Sequence, residues 1–378
     1  MLTIAEEMYF RLLSAALWGG DAERVRVDLR GEDWPYLLHL AERQGTAPLI
    51  YDVLLREERD GLTPAMEQQM RAVSAHCMML QEQQLHVRWQ ATHALNAQGV
   101  PVVQIKGFTL ARHYPKPYLR SCGDVDIFVG KENYHAGAKV LRDTFPDAPR
   151  FDTEEDYFRH YNINVGPVPV EMHRVSHSFA HPCDERRYDR LEQESLHRHP
   201  LTVKNELGTW LEPEEKFNVL FVFLHSWEHF VTETASIRQF ADIAMLLKNA
   251  SSPDLTAYLK RNLRRLHVLE AWQLYAYILV HYLGLKPEAC PLYTPRARVR
   301  AERLLAYILR IKPRKPAEKE GTAPRNVLLR KLYTFRARTR DARFVAQFSP
   351  RYARHMVMTN IAQSFVRFLR GQNTRHWE

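Results

Sequence analysis

The segment RSCGDVDIFV, residues 120–129, sets the tightest limit on how this chain can fold. Two aspartates, Asp124 and Asp126, stand one residue apart in an apolar run that reads as a β-strand over 124–129. Side chains at i and i+2 of a strand share a face. Both carboxylates therefore project together, and Val125 turns to the other side. Aspartate suits strands poorly, and burying a carboxylate is costly unless positive charge compensates it. A sheet that accepts this pair needs one apolar face and one face where cations gather. Two carboxylates on one face can share two divalent ions about 3.5–4 Å apart. Mg²⁺ in particular favours carboxylate oxygens completed by phosphates.

The flanking sequence extends this reading. VPVVQI, 100–105, is a β-branched run between Gly99 and Gly107, and FTLARHY after it is a short helix stopped before Pro115. KENYHAGAKVLRDTF, 131–145, has helical spacing. NINV (162–165) and VPVEMH (168–173) flank Gly166-Pro167 and read as a hairpin. Glu171, between Val170 and Met172, offers a third carboxylate from a neighbouring strand. Lys106 and Gly107 fall where a strand meets a helix. Gly107 allows close backbone approach to a phosphate, Lys106 supplies a point charge, and Arg120, four residues before Asp124, is placed to reach the same phosphates. Acidic pairs at the same spacing, Glu192/Glu194 and Glu318/Glu320, lie in polar, helix-like surroundings instead.

Around this unit the pattern is helical. Residues 1–97 carry apolar positions at helical spacing, including a long amphipathic stretch over 63–97 that opens with Thr-Pro. Helical pattern returns at 213–249, 253–284, 298–311 and 354–370. The expected organisation is an N-terminal helical domain (1–97), a palm (98–180) and a C-terminal helical, basic domain (181–378). The fold class is thus α+β, a small mixed sheet embedded in helical segments from both ends. No apolar run approaches the roughly 18 residues of a membrane span. The N-terminus carries acids where a signal peptide needs bases, so a cytoplasmic protein without membrane contact is expected. Four dispersed cysteines argue against a disulfide framework or a thiolate zinc site.

The net charge of +9 is uneven. Residues 296–354 hold 18 of the 53 Lys/Arg but only 4 of the 44 Asp/Glu. Such a segment suits a polyanion such as RNA, or simply a solvated helical surface and loop. Three further signals weigh less. HSWEH, 225–229, matches an inverted zinc-protease motif with His225 and His229 on one helix face, though a helix packing two histidines beside the sheet explains it as well. His173, His177, His181 and Cys183 are spaced like ligands. Arg238 and Asp242 stand four apart on a helix, either as an ion pair or with Arg238 turned to a nucleotide phosphate.

VVQIKGFTLARHYPKPYLRSCGDVDIFV followed by VPVEMH resembles the uncharacterised bacterial nucleotidyltransferase family of the polymerase-β-like superfamily. LAERQGTAPLIYDVLL upstream, and His225, His229, Arg238 and Asp242 downstream, are similar to that family too. The resemblance covers about residues 30–250. It implies a nucleotidyltransferase palm with Asp124, Asp126 and Glu171 as ligands of two Mg²⁺ ions. It also implies an NTP as co-substrate near Lys106, Gly107, Arg120 and Arg238. The implied reaction moves a nucleoside monophosphate to a small molecule, sugar phosphate or peptide. Toxin-type enzymes that modify transfer RNA share the Lys-Gly, Arg, Asp-x-Asp order and offer an alternative acceptor. One departure stands out. The wider superfamily follows this glycine with serine or glycine, whereas here Phe108 leaves no hydroxyl for a phosphate, which also fits a non-catalytic binding module.

Overall fold

A computed structural model describes residues 2–19, 27–56, 59–149, 159–179, 181–206, 208–232, 235–310, 336 and 339–369. The linker-like stretch 312–326 and much of the basic segment lie outside them. The chain opens with helix α1 (Ile4–Trp18), whose N-terminus is closed reciprocally by Thr3 and Glu6. There follow a two-residue strand β1 (Val27–Asp28), α2 (Asp33–Arg43), α3 (Ala47–Leu54) and a second short strand β2 (Arg59–Asp60). Strands β1 and β2 pair in parallel. Helix α4 (Pro64–Ala97) begins at the Thr63 cap, with proline at its first position, as the sequence predicts.

The central sheet uses β3 (Val103–Gln104), then α5 (Gly107–Ala111), β4 (Val125–Phe128), α6 (Gly130–Thr144), β5 (His160–Val165) and β6 (Val168–His173). After α7 (Pro182–Glu192) a further hairpin, β7 (Leu201–Asn205) and β8 (Gly208–Glu212), completes it. The strand order is β5-β6-β4-β3-β8-β7. The sheet is mixed: β4 runs parallel to β6 and antiparallel to β3, and β3 runs parallel to β8. The expected strand at 100–105 shortens to two residues, since Pro101 has no N–H for a ladder. The sheet does not stop near residue 180, where the sequence suggested a boundary. The hairpin at 201–212 was missed because its first strand is largely exposed and carries no inward apolar alternation.

The remaining helices are α8 (Glu215–Thr232), α9 (Ile237–Lys248), α10 (Leu255–Arg265), α11 (Leu269–His281), α12 (Arg298–Arg310) and α13 (Pro350–Leu369). Two apolar cores result. The smaller packs Val125 and Ile127 of β4, and Val170 and Met172 of β6, against Ala91 and Leu95 of α4 and Leu141 of α6. The larger joins α1–α3 to α8–α12, and it takes Phe128 from the opposite face of β4. Alternation along β4 therefore sends odd positions to one core and even positions to the other side. The N-terminal and C-terminal helices share one core. Glu6 of α1 also receives the guanidinium of Arg310 from α12.

A buried ion pair fastens the loop before β4 to the larger core. Arg120 donates from Nε and Nη2 to the two oxygens of Asp242 on α9, at 2.7 and 2.8 Å, and the Tyr114 hydroxyl donates to the same carboxylate at 2.7 Å. Burial raises the Asp242 carboxyl, but Arg120 and these hydrogen bonds more than offset this and hold it below the usual range. Removing one partner strands the other charge in a dry site. Asp242→Leu is expected to lower the free energy of unfolding in urea by about 3–5 kcal/mol. The double variant with Arg120→Met should recover most of the loss.

Glu192 ends α7 deep in the structure, unlike the exposed Glu194. Its carboxylate accepts from the Ser176 N–H at 2.6 Å and the Ser176 hydroxyl at 2.5 Å. Burial pushes its carboxyl up to about 7, and the Ser176 hydrogen bonds only partly reverse this. Because the folded value lies above the unfolded one, this stabilising contribution is full at pH below about 4. It is lost as pH rises through about 7. Glu192→Gln should therefore flatten the fall in urea stability between pH 5 and pH 8. At pH 8 the variant should gain of order 2 kcal/mol over the natural chain.

Candidate active site

Parallel pairing of β4 with β6 sets Asp126 beside Glu171 and Phe128 beside His173 in register. A slip of one residue would turn the whole set toward the α4–α6 core. Asp124 falls one residue before β4 begins. The turn into α5 completes the group. Lys106 caps that helix at a φ of 50°, a conformation uncommon for a residue with a side chain. Gly107 follows at 27°, and a Cβ there would lie 3.3 Å from the Asp124 carbonyl oxygen. Glycine is what lets the turn sit against the Asp124 backbone.

The turn brings Lys106 Nζ to 2.5 Å from Asp126 Oδ1. His173 Nε2 lies 2.8 Å from the same oxygen and 3.5 Å from Glu171 Oε2. Burial would lower the Lys106 ammonium, but Asp126, Asp124 and Glu171 together raise it. Repulsion from Asp126, then burial, raises the Asp124 carboxyl, against the pull of Lys106 and Arg238. Burial and Asp126 push Glu171 up to about 7. His173 is held well below the ordinary histidine range by burial and by the cations Lys106 and Arg159, so its ring is neutral. The other oxygen of Asp126, Oδ2, is buried with no hydrogen-bond partner among the described residues.

These facts describe a site short of positive charge. Three carboxylates share the one ammonium in contact, Lys106, with Arg238 and Arg159 acting from farther off; two of them hold protons more tightly than usual, and among the described residues Asp126 Oδ2 has no hydrogen-bond partner. The ligand atoms of Asp126, Glu171 and His173 lie within 4.8 Å of one another. The donor set, carboxylates plus a neutral imidazole, fits a divalent cation.

A family model described as uncharacterised nucleotidyltransferase matches residues 30–284, more than half of the chain. The chain belongs to this nucleotidyltransferase family. The match spans α2 to α11 and takes in the whole sheet. Among solved structures, the chain is similar to an antigenic nucleotidyltransferase-like protein from Paracoccidioides brasiliensis. Identity is 13%, the shared part covers 56% of this chain and 92% of that one, and the TM-score is 0.29, too low to align the sites. No curated protein matches the chain.

Not every residue expected near the phosphates of a nucleotidyltransferase stands free. Arg120 was expected to reach them, but its guanidinium is bound bidentately to Asp242 and is buried. Asp242 takes its ion pair from Arg120 rather than from Arg238. Arg238 donates from Nη1 to the Ser121 carbonyl at 2.8 Å, within electrostatic reach of Asp124. It also packs on Gly45, where a Cβ would approach its Nε to 3.2 Å. Lys106 rests on Asp126. His173, whose spacing in the sequence grouped it with His177, His181 and Cys183, instead joins Asp126 and Glu171 in the ligand-like group.

The other histidine signals resolve differently. His225 and His229 face each other, Nε2 to Nε2, at 3.1 Å. Glu228 of the same motif is occupied by Arg159 at 2.7 and 3.0 Å, with His177 Nδ1 at 3.1 Å. Among the described residues, the three-ligand groups do not include this pair. The expected run His173, His177, His181 and Cys183 is dispersed. His181 Nδ1 accepts from the Cys183 N–H to cap α7. His181, Asp184 and His355 do come together. However, Asp184 is already held by His355 at 2.5 Å and by Arg187 at 2.8 Å.

A cavity of about 390 Å³ adjoins the carboxylates and includes Asp124 and Asp126 in its lining. Its walls come from α4 (Gln84, Arg88), α5 and the residue after it (Phe108, Arg112) and the loop before β4 (Tyr118, Cys122). His225 and His229 do not line it. If the acidic group holds a divalent cation, MgCl₂ should raise the melting temperature of the purified protein by several degrees. Asp126→Asn should remove most of that rise while leaving circular dichroism unchanged.

Proposed function

We propose that this protein is a Mg²⁺-dependent nucleotidyltransferase that moves a nucleoside monophosphate from an NTP to an acceptor hydroxyl or phosphate. The observation that carries the reading is the charge-deficient group of Asp124, Asp126 and Glu171 beside a cavity, with Asp126 Oδ2 unpartnered. Asp124, Asp126 and Glu171 would hold two Mg²⁺ ions, with His173 beside them. The ions supply charge neutralisation at the phosphates. The acceptor oxygen bonds to the α-phosphorus as the bond to the β-phosphate oxygen breaks, and pyrophosphate leaves. Glu171, the more accessible carboxylate beside Asp126, takes the acceptor's proton. Lys106 holds the Asp126 carboxylate in place through its ammonium. Neutral His173 orients the same carboxylate through Nε2. Arg238, near Asp124, is the cation placed to meet a phosphate.

The transfer test uses each NTP labelled at the α-phosphate, with Mg²⁺ and a cell extract as the source of acceptor. Label should pass to an acceptor with one NTP preferred. Asp126→Ala and Asp124→Ala should each cut transfer by at least 100-fold with the circular dichroism of the folded chain unchanged. Transfer that survives both substitutions would remove the catalytic reading.

A further inference from the structure

Arg88 on α4 is buried, at 8% exposure, and lines the cavity. Its Nε is out of reach of solvent and has no hydrogen-bond partner among the described residues. Among the described residues no carboxylate pairs with it. The other cavity arginine, Arg112, is by contrast engaged by both oxygens of Glu212. The Arg88 guanidinium carbon lies 3.9 Å from the centre of the Phe108 ring and 5.6 Å from that of Trp210. Phe108 meets Trp210 edge-on at 5.0 Å. Stacking on aromatic faces offsets part of the cost of burying the cation but leaves its in-plane Nε–H unmet. Burial alone pulls the guanidinium down to about 10, still charged at neutral pH. The rest of the lining is largely apolar, from Leu85, Ile105, Ala111, Pro117 and Val125.

We propose that Arg88 is the anion anchor of this cavity, taking a phosphate or carboxylate of a ligand whose apolar or planar body lies along the other walls. Phe108, at the position where a phosphate-binding hydroxyl was expected, then serves as the shelf that holds the guanidinium plane in place. This deepens the proposed function, on which it rests, by naming the chemistry of a reacting partner. That partner is an oxyanion on an apolar body, close to Asp124 and Asp126. Either the NTP or the acceptor could bring such a group.

The test is calorimetric titration of the full chain with two matched pairs of probes, ATP against adenosine and 4-phenylbutyrate against 4-phenylbutanamide. The natural chain should bind the anionic member of at least one pair tenfold or more tighter. Arg88→Met should reduce that preference to within about twofold. Loss confined to the ATP pair assigns the anchor to the nucleotide, and loss in the phenylbutyrate pair assigns it to the acceptor. Arg88→Lys keeps the charge without the fork and should retain part of the preference. It serves as the reporter should Arg88→Met fail to fold. Absence of preference in the natural chain, or a preference unchanged in the variants, would overturn the anchor. Binding is read without turnover, so failure of the transfer assay and failure of this anchor are separate results.

Discussion

Repulsion among Asp124, Asp126 and Glu171, only partly relieved by Lys106, is the constraint around which this structure is arranged. Like charges this close raise each other's proton affinity, and both Asp124 and Glu171 show it. The cluster is kept because the opposite faces of β4 and β6 are locked into an apolar core. Val125, Ile127, Val170 and Met172 cannot leave that core without exposing their side chains. The pleat then leaves Asp126 and Glu171 no other direction.

The surroundings follow from holding that arrangement. Lys106 adopts a left-handed backbone so that its ammonium can reach Asp126, and Gly107 makes the turn thin enough to touch the Asp124 backbone. Arg120, four residues before Asp124 in sequence, is diverted to Asp242 and clamps the loop before β4 to α9. The charges near the sheet are thus divided between those that secure the fold and those that remain unmet. Arg120 and Arg159 belong to the first group. Asp126 Oδ2 and Arg88 belong to the second, and both adjoin the same cavity.

Much of the sheet was legible because period-two alternation and turn residues are local signals. The hairpin around Gly166-Pro167, the α5 helix and the strand carrying Asp126 all appear close to their expected places. Features that depend on partners distant in sequence were not legible. Nothing in LTVKNELGTWLE marks it as joining the sheet, because its pairing to β3 rests on a single backbone register, Val103 with Leu211. Arg120 looked like a phosphate ligand because a motif shows spacing but not the carboxylate 122 residues away that claims it. Arg88 carried no motif at all. Its position seven residues after Gln81 and four after Gln84, all on one α4 face, was the available hint.

The sequence by itself determined the α+β class, the family and the identity of the acidic residues, since each is written in short-range pattern and residue type. Tertiary structure alone decided that Asp126 and Glu171 stand in register and that His173 joins them. It also decided that the helices from both ends of the chain close over one core, and that Arg88 is buried beside Phe108 with no carboxylate partner among the described residues. The physical reason is that charge pairing and burial are set by distances through space, and the chain brings those distances about only when its apolar faces have found each other.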